Sequence, residues 1–136
     1  MTIGALARRT GTPVKTLREY EGLGLIYSVG RSQGNYRLFD QEALWCVEVV
    51  RTLRGLGLTL AEIQVLADTY MRRGETRIGP RLAETLNAAR SRTEERIDTL
   101  RDVVRRIDEF KARHTAELAG SKYFSVPLDS PPGGRP

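Results

Sequence analysis

Thr10-Gly11-Thr12-Pro13-Val14-Lys15-Thr16-Leu17-Arg18-Glu19-Tyr20-Glu21-Gly22-Leu23-Gly24 is the stretch on which the fold turns. It opens where a first short helix must stop, at Thr10-Gly11. Upstream, Thr2 is placed to cap that helix, whose apolar side is Ile3, Leu6 and Ala7. Downstream, Thr12 is placed to cap a second helix with Pro13 at its first position, where a missing N–H leaves nothing unpaired. Val14 and Leu17 give the second helix an inward side, and Gly24 supplies its stop. Two short helices across a glycine turn, the second opened by Thr-Pro, are a helix-turn-helix signal.

The outward side of the second helix carries Lys15, Thr16, Arg18 and Glu19. Cationic donors near the start of a short helix suit guanine edges or phosphates in a major groove. The plainer alternative is a solvated face, with Lys15 and Glu19 an i,i+4 pair worth a few tenths of a kcal/mol.

Residues 26–40 change character. Ile26, Tyr27 and Val29 are strand-like, residues 30–35 are rich in turn formers, and Tyr36-Arg37-Leu38-Phe39 is strand-like again. The pattern predicts a small hairpin, or wing, that presents Arg31, Tyr36 and Arg37. Asp40 is placed to cap a helix over residues 41–55 with Leu44, Val47, Val50 and Leu53 inward. Arg51 and Arg54 on it extend the basic footprint. After Gly55-Leu56-Gly57, Thr59 and Glu62 form a capping-box pattern for a helix whose core side is Leu60, Ile63, Leu66 and Ala67.

Gly74 and Gly79-Pro80 predict a further break. From residue 81 to about 113 there is neither Gly nor Pro, and a helix of that length runs roughly 50 Å. Its apolar series is Leu82, Leu86, Ala89, Ile97, Leu100, Val104 and Ile107, with Thr93 bridging the long step. This is a heptad seam with one stutter. A narrow stripe on so long a helix needs a partner, most simply a second copy of the chain. Periodicity is lost from Ala119. Residues 121–126 suit a short extended segment, and the Pro/Gly-rich residues 127–136 suit a loose tail. The expected organisation is a head over 1–74, a dimerisation helix over 75–118 and a tail over 119–136.

Composition narrows the chemistry. The chain has 136 residues, a net charge of +5 and a sequence pI near 9.8. It is too short for a large enzyme, and its moderate positive excess fits a polyanionic partner without proving one. The single cysteine, Cys46, excludes an internal disulfide and a thiolate metal cluster within one chain. The single histidine, His114, removes most zinc-enzyme and Ser-His-Asp schemes. No Gly-rich phosphate loop opens a helix, so no enzyme and no cofactor are expected. The first residues lack a basic segment followed by an apolar run, and no apolar stretch suits a membrane span. A reduced, cytoplasmic setting is the expectation.

Several spaced motifs, taken together and in order, resemble the MerR family of transcriptional regulators. They are Thr2-Ile3-Gly4-Ala5-Leu6-Ala7, Gly11, Thr16-Leu17-Arg18-Glu19-Tyr20-Glu21, Gly24-Leu25, Gly34-Asn35-Tyr36-Arg37-Leu38-Phe39-Asp40, and Leu53 through Ile63. The resemblance covers about the first half of the chain closely. It implies a mainly α protein: a winged helix-turn-helix followed by a long helix that forms an antiparallel coiled-coil dimer. It implies binding to a pseudo-palindrome between the −35 and −10 elements of a promoter with an over-long spacer, and distortion of that DNA so that RNA polymerase meets both elements in register.

By the same resemblance, Lys15, Thr16 and Arg18 are the major-groove contacts. Tyr20, Arg31, Tyr36, Arg37 and Arg54 are the backbone or wing contacts, although the Tyr20 ring has a competing role as packing under its helix. Glu19 departs from the family, which commonly has an aromatic residue there, and puts the base preference in question. The cysteines of metal-sensing and iron–sulfur relatives are absent. The short tail cannot enclose a large ligand domain. A small organic effector is left open: Trp45, Tyr70, Tyr123 and Phe124 either line a small pocket at the dimer interface, or Trp45 and Tyr70 belong to the core and Tyr123-Phe124 dock the tail. The alternative to a regulator is an effector-independent architectural DNA binder or coiled-coil interaction protein.

Overall fold

The computed structural model describes residues 1–73 and 78–123. In chain order the elements are α1 (Ile3–Thr10), α2 (Val14–Gly22), β1 (Gly30–Arg31), β2 (Arg37–Leu38), α3 (Gln41–Gly55), α4 (Leu60–Arg73), α5 (Ile78–Arg113) and α6 (Thr115–Leu118). By packing, the chain divides into a first unit, Met1–Thr93, and a second beginning at Glu94.

The helix ends follow local chemistry. Thr2 accepts a hydrogen bond from the Ala5 N–H at 3.2 Å and starts α1. Gly11 ends it in the left-handed region, φ 66°, which costs glycine nothing. Asp40 caps α3 by accepting from the Ala43 N–H at 3.0 Å. The box at α4 forms both ways: the Glu62 N–H donates to Thr59 Oγ1 at 3.1 Å and the Thr59 N–H donates to Glu62 Oε1 at 2.9 Å.

One expected cap is corrected. Thr12 does not cap α2; Pro13 occupies the cap position, with no side-chain hydrogen bond. Thr12 is buried, and its hydroxyl has no partner among the described residues. The helix starts one residue later than expected, so the Thr12 side chain faces the core rather than the free N–H groups.

The core of the first unit joins Leu6, Leu17, Tyr20, Ile26, Phe39, Val47, Val50, Leu58, Ile63 and Leu66. Every helix over residues 3–73 therefore contributes the face that its 3.6-residue period predicts. Gln64 strengthens the join of α4 to the end of α2 by donating to the Leu23 carbonyl at 3.2 Å.

The wing is smaller than expected. Its strands hold two residues each, paired antiparallel as Gly30 with Leu38 and Arg31 with Arg37. Ile26 is buried beneath the hairpin rather than within a strand. So short a ladder is marginal alone. It is anchored by buried Phe39, whose N–H donates to the Met1 carbonyl at 2.6 Å.

The long helix also differs from expectation. It starts at Ile78, with Gly79 and Pro80 inside its first turn. A proline there removes only an N–H that has no intrahelical acceptor. Ala89 is buried in the first unit's core, and Leu82 and Leu86 pack against that core. These three residues of the expected dimer seam therefore serve the chain's own head.

In the second unit, Ile97, Leu100, Val103, Val104 and Ile107 form an exposed apolar stripe. Opposite charges decorate the helix: Arg105 bridges Asp102 and Glu109 at 2.5 and 2.7 Å. After Arg113 the helix breaks at His114, whose ring lies 4.4 Å from that of Phe110 and whose Nδ1 is 3.3 Å from a Glu117 oxygen. That places His114 at a helix junction, and α6 is an element the sequence did not announce. Residues 120–122 form a turn, with Gly120 at φ 81°. The remainder of the expected extended segment and the Pro/Gly-rich tail lie outside the described residues.

Candidate nucleic-acid interface

Burial of Leu17 and Tyr20 fixes which side of α2 is free. Lys15, Arg18 and Glu19 are exposed and Thr16 is half-buried. Lys15 and Glu19 form no ion pair among the described residues, so the cationic heads of Lys15 and Arg18 stand in solvent on a rigid helix. Tyr20 is only 6% exposed and belongs to the core. Of its two expected roles, the structure shows the packing one.

The wing tip is organised by its own backbone. The Asn35 N–H donates to the Ser32 carbonyl at 2.9 Å, and the Ser32 N–H donates to the Tyr36 carbonyl at 2.8 Å. Asn35 takes φ 66°, a left-handed conformation that asparagine tolerates. The exposed Tyr36 ring lies against Gly34 so closely that a Cβ there would sit 3.1 Å from a ring carbon. Arg31 folds back to donate to the Asn35 carbonyl at 3.0 Å. Tip and ring are thus presented as one unit to whatever the wing meets.

Three more of the expected DNA-facing arginines are engaged within the fold. Arg37 lies 2.7 Å from Glu21 at the end of α2. Arg54 donates to the Leu58 carbonyl at 3.0 Å, closing the α3–α4 turn. Arg51 donates to the Thr10 carbonyl at the end of α1. A guanidinium has five N–H donors, so each retains capacity for a phosphate while bracing the scaffold. The long-range partners, Glu21 for Arg37 and Thr10 for Arg51, carry no local sequence signal.

Arg92 has a role that no local sequence pattern signals. Its guanidinium forks onto both Glu62 oxygens, at 3.0 and 2.9 Å, and also donates to the Gly57 carbonyl at 2.9 Å. It ties α5 to the capping box of α4. The Arg92 hydrogen bond chiefly, and then the Thr59 N–H, hold the Glu62 carboxyl below the ordinary carboxylate range. A lowered carboxylate pKa stabilises the fold fully above the unfolded value and loses that contribution as pH falls through the folded one. Acidification below about pH 4.3 should therefore lower the melting temperature more in the wild type than in Glu62→Gln. Arg92→Ala should cost about 1 kcal/mol at pH 7, since a pair this exposed is screened by water. Thermal melts of the three chains at pH 7 and pH 3 check both, and equal acid shifts in wild type and Glu62→Gln would count against the clasp.

Trp45 is 55% exposed on α3, not core. Tyr70 is half-buried, Tyr123 is exposed, and Phe124 lies outside the described residues. The groove between the end of α2 and α4, about 440 Å³, is lined by Leu23, Tyr27, Gln64 and Met71 rather than by Trp45 or Tyr70. Cys46 is half-buried; burial foremost, then Glu42 and Asp40, push its thiol up, so it stays protonated at neutral pH. A protonated thiol is a poor nucleophile, and Cys46 packs against the core of the head as a small apolar side chain. No described helix is long and apolar enough to cross a membrane.

A helix-turn-helix with a free basic face, flanked by an ordered wing, defines the winged helix-turn-helix class of DNA-binding folds. The sequence model described as MerR HTH family regulatory protein matches residues 1–78. The chain therefore belongs to the MerR family. It is 38% identical over 101 residues to an HTH-type transcriptional activator SoxR homolog of Chromobacterium violaceum, covering 74% of this chain and 66% of that one. It is 44% identical over 62 residues to the nodulation protein NolA of Bradyrhizobium diazoefficiens, covering 46% of this chain and 26% of that protein. The chain thus spans about a quarter of the length of this relative. Among solved structures, the transcription regulator PbrR691 from Ralstonia metallidurans, in complex with lead(II), is similar at a TM-score of 0.69 and 29% identity, over 82% of this chain and 85% of that one.

Proposed function

We propose that this chain is a sequence-specific DNA-binding transcriptional regulator. It binds a pseudo-palindromic promoter site as a homodimer and distorts the spacer to control access of RNA polymerase. The observation that carries the reading is the free basic face of α2, with Lys15, Thr16 and Arg18, set beside the ordered wing of Arg31, Tyr36 and Arg37. Lys15, Thr16 and Arg18 read bases, while the wing and Arg54 meet the phosphate backbone. Tyr20 supports them from beneath. Family membership favours this reading over an architectural DNA binder and over an enzyme.

The exposed stripe of Ile97, Leu100, Val104 and Ile107 is the surface for the second copy. Leu82, Leu86 and Ala89 act indirectly, by fixing α5 to the head. The setting is cytoplasmic.

The test is selection of a site from a random-sequence duplex library, followed by DNase I footprinting. A protected dyad with enhanced cleavage at its centre is the expected result, because bent DNA opens to the nuclease there. Protection without a dyad, spread over unrelated sequences, would establish the architectural alternative instead.

A further inference from the structure

Glu21 and Arg37 are 16 positions apart, on different elements, and their pairing joins the recognition helix to the wing. The Glu21 side chain is 16% exposed and that of Arg37 is 45% exposed. The acid is thus packed into the seam, while the guanidinium reaches out of it. One guanidinium nitrogen, Nη1, sits 2.7 Å from Glu21 Oε1. No second partner of Arg37 occurs among the described residues. The planar group holds its remaining donors at fixed angles to the engaged one.

Arg37 is also one of the two ladder residues of β2, directly opposite Arg31. With two pairs in the ladder, the hairpin cannot hold a long side chain in one direction by itself. Tip contacts order Ser32 to Tyr36, and Phe39 anchors the far end, but neither constrains the Arg37 side chain. Glu21 does.

We propose that Glu21 is a positioning residue for DNA binding: it holds one edge of the Arg37 guanidinium so that the remaining donors meet a DNA phosphate at the root of the wing. The inference rests on the DNA-binding reading above. It has an unusual sign. Removing an acid near a polyanion should strengthen binding through net charge alone. Loss of positioning weakens it.

The probe is a 30-base-pair duplex carrying the site that the wild-type chain selects from a random library, titrated by fluorescence anisotropy over a range of KCl. Glu21→Gln should bind about fivefold to tenfold more weakly, a loss of 1–1.4 kcal/mol at 1.4 kcal/mol per tenfold. Arg37→Ala should bind more weakly and flatten the salt slope by about one unit. Arg37→Lys keeps the charge, and so most of the slope, but loses affinity because an ammonium cannot serve both partners in one plane. The double variant, Glu21→Gln with Arg37→Ala, should match Arg37→Ala alone, because Glu21 then has nothing to position. A merely structural Glu21 would add its own loss.

Binding by Glu21→Gln as tight as wild type or tighter, or additive losses in the double variant, would overturn the proposal. If Glu21→Gln fails to fold by circular dichroism, Arg37→Lys decides: wild-type affinity there is equally fatal. If the wild-type chain selects no site and shows no salt-dependent binding, the DNA-binding reading itself fails, an outcome distinct from all of these.

Discussion

Leu100→Glu combined with Val104→Glu should convert the protein to a monomer at micromolar concentration in analytical ultracentrifugation. Leu100 is 63% exposed and Val104 57% exposed, yet both lie on one stripe with Ile97 and Ile107. The steps between the four are three, four and three residues, which keeps them on one side of the helix. An apolar side chain of this size contributes about 1.5–3 kcal/mol when fully buried. In a two-fold dimer each substitution acts twice, so two substitutions remove four such contributions and place four carboxylates in the seam. That exceeds the stability of a small helical interface.

The substituted positions lie beyond the first unit, which ends at Thr93. The head should therefore melt as before, and the loss should be confined to association. Binding to a dyad should fall to that of a single half-site. A double variant that still sediments as a dimer would assign dimerisation to some other surface.

Arg18→Ala is the second large effect. Arg18 is exposed near the middle of α2, on the side away from buried Leu17. It makes no ion pair among the described residues, so its loss leaves no buried partner behind. The expected melting temperature is unchanged within a degree or two. Affinity for the selected site should fall by about 1–3 kcal/mol per half-site, and discrimination at one base position should relax. Both half-sites of a dyad lose the contact, which makes the total about 2–6 kcal/mol, or roughly 30-fold to ten-thousandfold and beyond. Equal affinity of wild type and variant for the selected duplex would remove Arg18 from the reading surface. Unchanged affinity for an unrelated duplex is part of the expected pattern and separates a base contact from a phosphate contact.

Local patterns carried most of the fold. The caps at Thr2, Asp40 and Thr59, the turn glycine Gly11 and the inward positions of α3 and α4 are all set by interactions within four residues. Such interactions are written in adjacent letters. Where Thr12 was expected to cap, two local solutions competed, and the burial of its side chain decided for Pro13. The wing's existence was legible from its turn formers. Its extent was not, because strand residues such as Ile26 have the same composition whether they pair in a ladder or plug the core.

The site divides along the same line. The exposure of Lys15 and Arg18 followed from the period of α2. The fates of Arg31, Arg37, Arg51 and Arg54 did not, because an arginine's letter is the same whether it faces solvent or braces a carbonyl. Arg92 is the extreme case, since its partners lie 30 and 35 residues away.

By itself the sequence determined the order of α1 to α5, the position of the wing, the basic face of α2 and the family to which the chain belongs. These depend on short-range periodicity and on motifs in fixed order. Only the tertiary structure decided how the apolar series of α5 is shared, with Leu82, Leu86 and Ala89 spent on the chain's own core and Ile97, Leu100, Val104 and Ile107 left exposed. It alone decided that Tyr20 is buried, that Trp45 is not, and that Glu21 holds Arg37. The physical reason is common to all of them. A heptad stripe, an aromatic ring or a charged head states what it can bury or bind, and only the surfaces that folding brings against it select which of those it does.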